Sequence, residues 1–305
     1  MKISLYQPFS FIQQGGRPYQ EDARFPDSDR PDKNSRFFLV CDGVGGSEHG
    51  ELASRIVCEA FARKLQRFDF CQDFTNRDFS QTLDFAYDEL DDLAKRVKGD
   101  MATTLTFLCF HENGCTMAHI GDSRIYQLRP GVGIIFKTDD HSLVNSMVRN
   151  GVIPPSQAEK HPQGNVITRC MQPAYGQEER CQATVFRTQD VKAGDYFFLC
   201  SDGVLKCISD DLLTAVLMDE SMGDEEIIQK IACLSEDSDD NTPAMLLHVS
   251  EVTQDGLQQK IADLDSEGTT TTRRFDRVID ESMEIESHRQ SGKTSLFAKL
   301  KQWFK

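Results

Sequence analysis

The chain has 305 residues, of which 39% are hydrophobic, 27% are charged and only 10 are proline, a balance that sustains a sizeable buried core and excludes general disorder. Its 34 basic residues stand against 49 acidic ones, a formal charge of −15 with a pI near 4.9, which argues against broad electrostatic attraction to nucleic acid or anionic lipid. Single cores saturate at roughly 250–300 residues, so one large domain with a tail is expected.

The opening MKISLYQPFSFIQQGG has no apolar run of signal-peptide length, and no stretch approaches the roughly 20 apolar residues that cross a bilayer. A soluble, cytoplasmic chain is expected. Residues 37–41 (FFLVC) read as the first clear strand. Two helices follow. Leu52, Ile56, Val57, Phe61 and Leu65 keep one face of the first apolar, and Phe79, Leu83, Ala86, Leu90, Leu93 and Val97 do the same for the second. Strands are then predicted at 104–110, 115–120 and 124–128, the first two joined by His111, Glu112, Asn113 and Gly114 at hairpin distance, which favours antiparallel pairing. Two more lie at 195–200 (DYFFLC) and 244–249 (AMLLHV). Strands cluster and helices cluster instead of alternating, so the fold class is α+β, with sheets covered by helices. The 10 cysteines include no CxxC pair, and several sit inside apolar strand-like runs, as expected of buried reduced thiols in a reducing compartment.

The composition changes after residue 252, dividing a domain over 1–252 from a linker and tail over 253–305. Residues 251–305 hold 10 acids and 9 bases, so −14 of the charge belongs to residues 1–250. The final SLFAKLKQWFK places Leu296, Phe297, Leu300, Trp303 and Phe304 at helical spacing beside lysines, a basic amphipathic helix suited to a partner protein or a membrane surface.

Acidic residues recur at the expected strand ends: Glu21-Asp22, Asp42-Gly43, Asp122, Asp202-Gly203 and Asp239-Asp240. An Asp-Gly pair after a buried strand presents its carboxylate, and the glycine lets the chain turn tightly enough to offer a carbonyl. Any single such pair is ordinary turn chemistry; five clusters together point elsewhere. Converging carboxylates repel unless they share protons or hold cations. All-oxygen donors select Mg²⁺ or Mn²⁺ over Zn²⁺, and two such ions can activate water against a phosphoryl group. Metal-assisted phosphate hydrolysis is the expected reaction class.

Through GGRPYQEDARF (15–25), FFLVCDGVGG (37–46), MATTLTF (101–107), AHIGDSRIYQL (118–128), TDDHSLV (138–144), NVITRCM (165–171), DYFFLCSDGV (195–204) and DDNTPAMLLHV (239–249), the sequence resembles the metal-dependent type-2C protein serine/threonine phosphatases, bacterial members in particular. The resemblance implies a central β-sandwich of two antiparallel sheets flanked by helices, with two metals in a cleft at one edge. It implies that Asp42 bridges both metals, that the Gly43 carbonyl binds the first, and that Asp202 and Asp240 bind the second. Glu21 and Asp22 would hold metal-bound waters, Asp122 with Asp202 would hold a third, weaker metal, and Arg17 would bind the substrate phosphate. The expected nucleophile is a water bridging the metals, held by Asp42. The substrates implied are phosphoproteins, the products of a cognate serine/threonine kinase.

The sequence departs from the family where many members carry histidine, at Val44 and Ser47, so the general acid is unassigned; His49 fits a capping or surface role better than proton donation. Residues 143–164 fall where bacterial relatives carry a flap beside the cleft. Cys71 with Arg77 and Cys181 with Arg187 have C-x5-R spacing but lack the glycines of a phosphate-cradling loop. Gly292-Lys293-Thr294 has no glycine at the start of a P-loop and no preceding strand. A two-metal nuclease is disfavoured by the acidic domain. The main alternative is a pseudophosphatase scaffold that binds phosphoproteins and recruits partners through its tail.

Overall fold

The computed structural model describes residues 1–158, 161–174 and 180–253. The linker and tail assigned to 253–305 lie outside the described residues, apart from Thr253, which ends a strand. The elements in chain order are β1 (Lys2–Leu5), β2 (Phe9–Gln13), β3 (Ala23–Phe25), β4 (Phe37–Cys41), α1 (Gly50–Leu65), α2 (Asn76–Ala94), β5 (Leu105–His111), β6 (Gly114–Ile120), β7 (Arg124–Arg129), β8 (Gly133–Lys137), α3 (Leu143–Arg149), β9 (Thr184–Thr188), β10 (Tyr196–Cys200), α4 (Asp202–Leu205), α5 (Asp210–Leu217), α6 (Asp224–Leu234) and β11 (Thr242–Thr253).

Two antiparallel sheets form. One runs β3-β4-β5-β6-β9; the other runs β1-β11-β10-β7-β8, with β2 also paired to the long β11. Alternation along each strand decides which layer a side chain joins. Phe38 and Val40 of β4, Leu108 and Phe110 of β5, Phe197 and Leu199 of β10, and Met245 and Leu247 of β11 meet between the sheets. The opposite face of the first sheet, with Phe37, Leu39 and Phe107, packs on Val57, Phe61, Leu83 and Leu90 of α1 and α2. The opposite face of the second, with Tyr126, Phe198 and Leu246, packs on Leu213, Val216, Ile227 and Ile231 of α5 and α6. Four layers result, helix, sheet, sheet, helix, and each fully buried large side chain contributes about 1.5–3 kcal/mol.

The predicted strands at 37–41, 104–110, 115–120, 124–128, 195–200 and 244–249 are all present, and the hairpin closes from His111 to Gly114, which adopts φ +112°. Sequence reading missed β1, β2, β3, β8, β9 and the helices after α2. Strand β3 has three residues, and no residue of β8 or β9 is fully buried; β9 carries the exposed Arg187, and the apolar run of β8 is only Ile134, Ile135 and Phe136. Helices α5 and α6 did carry start signals: the Ser209 hydroxyl accepts from Leu212 N, and Glu226 reaches back to Gly223 N.

Candidate active site

Antiparallel register, rather than strand ends alone, gathers the acids. Glu21 and Asp22 precede β3, and Asp42 follows β4; because Ala23 pairs with Cys41, both lie at one end of that sheet. In the other sheet Cys200 faces Arg124 on one side and Ala244 on the other, so Asp202 after β10, Asp122 before β7 and Asp240 before β11 share an end as well. The acids at 21, 22, 239 and 240 therefore sit at strand starts, a correction to the sequence reading. A strand start and its antiparallel neighbour's end occupy the same edge.

Backbone contacts fix this edge. A Cβ at Gly43 would lie 2.4 Å from the Glu21 carbonyl oxygen and 2.6 Å from the Gly50 carbonyl carbon, so only glycine lets the β4 exit touch both the β3 entry and the start of α1. Gly43 N donates to Asp22 Oδ1 at 3.3 Å. Asp42 N donates to Thr104 Oγ1 (3.0 Å), whose hydroxyl also meets Ser123 Oγ (2.7 Å), while Thr104 N and Thr103 Oγ1 both donate to the Asp42 carbonyl. One threonine hydroxyl thus joins the Asp42 and Asp122 turns. Ser54 on α1 donates to the Glu21 carbonyl at 2.6 Å. Asn241 accepts from Glu21 N (2.8 Å) and donates to the carbonyls of Gln14 (2.7 Å) and Tyr19 (3.1 Å), fastening the 14–21 loop to the start of β11.

The carboxylates respond to one another. Burial, then the charges of Asp22, Asp202, Asp122 and Asp240, push Asp42 well above the usual range. Burial and the charges of Asp202 and Asp240 do the same to Asp22, and its Oδ2 is buried without a hydrogen-bond partner. Asp122 is pushed up to about 7 by burial, then Asp202 and Asp140. Glu21 is raised by burial, against the pull of Arg17. Asp240 behaves differently. Burial alone would raise it, but hydrogen bonds from Arg17 and Lys206, with the Lys206 charge, outweigh that cost and hold its carboxyl below the ordinary range.

Arg17 grips Asp240 through Nε (2.7 Å) and Nη2 (2.9 Å), with Nη1 3.5 Å from Glu21. Lys206, one turn after Asp202, reaches Asp202 Oδ2 at 3.2 Å and Asp240 Oδ2 at 2.6 Å. Sequence reading passed over Lys206, although its place four residues after Asp202 was a signal. It also gave no role to Asn241. The His49 ring meets the Lys98 carbonyl through Nε2 (3.0 Å), and its Nδ1 lies 3.9 Å from Glu51. In the flap region α3 is capped by Ser142, and Leu143 N donates to the Val166 carbonyl at 2.8 Å, closing the base; residues 159 and 160 lie outside the described residues.

The donor set suits a hard divalent cation, being all oxygen, mutually repulsive and including one buried, unpartnered carboxylate oxygen. Among the described residues no group of three acidic, histidine or cysteine side chains forms a ready cage. Asp240 is turned to Arg17 and Lys206 instead.

The sequence model for protein phosphatase 2C matches residues 13–224. The protein phosphatase PhpP of Streptococcus pneumoniae is 34% identical over 175 residues, covering 56% of this chain and 68% of that one. The serine/threonine protein phosphatase PstP of Mycobacterium tuberculosis is 33% identical over 189 residues, covering 60% of this chain but only 34% of that longer protein. The solved catalytic domain of PstP in complex with two manganese ions superposes with a TM-score of 0.63 at 25% identity, covering 82% of this chain and all of that one. Each relative is named as a phosphatase, which lends no support to a scaffold without turnover. The match spans more than half of the chain, and the chain belongs to the protein phosphatase 2C family, the serine/threonine protein phosphatases.

Proposed function

We propose that this phosphatase removes phosphate from phosphoserine and phosphothreonine in proteins by a metal-dependent hydrolysis that opposes a serine/threonine kinase. The observation that carries the reading is the convergence of Asp22, Asp42, Asp122 and Asp202 at one edge of the two sheets, where burial and the charge of Asp202 raise the cost of ionising Asp22, Asp42 and Asp122. Asp42, Asp202, Asp240 and the Gly43 carbonyl would hold two Mg²⁺ or Mn²⁺ ions, Asp122 with Asp202 a third, and Glu21 and Asp22 the water around them. When bound, such ions supply the positive charge that makes water acidic and offsets charge on a phosphoryl group.

The chain's own residues do the rest. Thr103 and Thr104 fix the Asp42 backbone through its carbonyl and N–H. Asp22 orients the Gly43 peptide. The Arg17 side chain is one-third exposed at the rim; its Nε–Nη2 edge is held by Asp240, and the Nη1–Nη2 edge of the same planar group would meet the phosphate oxygens. Ten free thiols fit a reducing compartment such as the cytoplasm, and the basic 296–304 stretch is assigned to docking. Among the described residues no helix is long and apolar enough to cross a membrane.

The test is hydrolysis of p-nitrophenyl phosphate and of phosphothreonine and phosphotyrosine peptides, with Mn²⁺ and with EDTA. EDTA and Asp42→Ala should each abolish turnover, and phosphothreonine should be preferred. Turnover indifferent to EDTA would overturn the reading.

A further inference from the structure

Lys206 stands where the proposed chemistry needs a different cation. It closes the four-residue α4, its backbone N–H donating to the Asp202 carbonyl at 2.9 Å, and its side chain folds back over that turn. An i,i+4 pair with Asp202 alone would be an ordinary surface contact. The ammonium is closer, however, to Asp240 on another segment, at 2.6 Å against 3.2 Å to Asp202.

Asp240 is then saturated. Its Oδ1 accepts from Arg17 Nε and from Asn241 N (2.9 Å), and its Oδ2 accepts from Arg17 Nη2 and Lys206 Nζ. A carboxylate offers about four acceptor positions. The two basic groups are not equivalent. Arg17 is pinned by a two-pronged grip, whereas Lys206 holds a compact charge on a flexible stem, 30% exposed, that can withdraw into water.

We propose that Lys206 is a built-in competitor for the cation position between Asp202 and Asp240, leaving when a divalent ion enters and returning when it departs. The inference rests on the proposed metal-dependent reading of this edge. A doubly charged ion and the Lys206 ammonium compete for the same positions on Asp202 Oδ2 and Asp240 Oδ2, and their repulsion at a few ångströms is strong even beside solvent. Ion entry and lysine exit therefore form one exchange. The apparent affinity of the position is the intrinsic affinity reduced by the fraction of time the lysine has left it, and Lys206 sets the divalent concentration at which the site fills.

The test titrates the full chain, stripped with EDTA and dialysed, with MnCl₂ in a calorimeter. Lys206→Gln should bind one Mn²⁺ about tenfold more tightly than the wild type, the low end of what a charge-assisted hydrogen bond is worth, while Lys206→Arg should stay within about threefold of the wild type. In EDTA the Gln variant should unfold at a lower temperature and gain more from Mn²⁺. Binding by the Gln variant that is equal to or weaker than the wild type overturns the competitor, as does equal tightening in the Gln and Arg variants. A second measurement needs no neutral variant. The ¹³Cε signal of Lys206, assigned by its loss from the Lys206→Arg spectrum, should move to the position of a solvent-exposed lysine as Mg²⁺ saturates the wild type; a signal that stays fixed overturns the exchange. If the folded wild type and both variants bind no Mn²⁺ at millimolar concentrations, the metal-dependent reading falls as well, whereas equal binding with EDTA-sensitive turnover removes the competitor alone.

Discussion

Substitution of Gly43 by alanine isolates the contact on which the candidate site is built. The added Cβ would stand 2.4 Å from the Glu21 carbonyl oxygen and 2.7 Å from the Gly50 carbonyl oxygen. Both are backbone atoms of anchored segments, since Ser54 holds the Glu21 carbonyl and Gly50 begins α1. Neither can swing aside as a side-chain tip would. Overpacking a single methyl in a tight interior costs about 1–3 kcal/mol, and two backbone walls place Gly43→Ala at the top of that range, about 3 kcal/mol. For a domain of this size that lowers Tm by roughly 6–12 °C. Gly50→Ala meets Gly43 atoms at 3.1–3.4 Å, needs only a few tenths of an ångström of relief, and should cost about 1 kcal/mol. Gly46→Ala has φ +95° and nothing within 4 Å, so it should pay backbone strain alone, about 1–2 kcal/mol. The site consequence differs more sharply than the stability. Opening the Gly43 contact displaces Asp42 and the Asp22–Gly43 hydrogen bond, and an ångström of misplacement costs about 100-fold in rate. Urea denaturation and Mn²⁺-supported hydrolysis of p-nitrophenyl phosphate measure both. If Gly43→Ala is no less stable than Gly46→Ala and keeps wild-type turnover, the close approach does not build the site.

Arg17→Ala should raise KM for a phosphothreonine peptide by about 10-fold or more, with Arg17→Lys restoring only part, because a point charge cannot reproduce a two-pronged contact; full recovery by lysine would remove the fork from the argument. Asn241→Ala forfeits three hydrogen bonds at 2.7–3.1 Å and should cost about 2–4 kcal/mol in urea denaturation; a cost below about 0.5 kcal/mol would mean that the 14–21 loop is held by other contacts. His111, far from this edge, is 3% exposed, and burial drives its pKa down from 6.5 to about 4 against the attraction of Asp73. The unfolded chain takes up that proton first, so the stability contributed is present above pH 6.5 and is lost as pH falls toward 4, about 2 kcal/mol of it by pH 5. His111→Gln should shrink the pH 7 to pH 5 stability difference by that amount, and an unchanged difference would show that other groups carry the acid sensitivity.

What could be read in advance and what could not divides along a physical line. Strands β4, β5, β6, β10 and most of β11 are apolar on both faces because each lies between the other sheet and a helix pair, or deep in its own sheet. Continuous apolar runs survive in the sequence as plain signals. Strands with one wetted face or three residues do not. The same holds for the site. Asp42 and Asp202 are readable because each follows a buried run and precedes a glycine, a local pattern. The depth of Asp22 is not local, since it depends on β3 pairing with β4 so that Ala23 faces Cys41. The pairing of Arg17 with Asp240 is not local either, since a Cβ at Gly15 would lie 2.1 Å from the Asp240 carbonyl oxygen and only that backbone crossing carries the arginine there. A motif can therefore state which carboxylates a chain owns, while register and backbone approach decide which of them must share an edge. Once they share it, the strain of crowding Asp22, Asp42 and Asp122 around Asp202 is relieved by bound protons or by positive charge, and Lys206 shows that part of that positive charge can come from the chain itself.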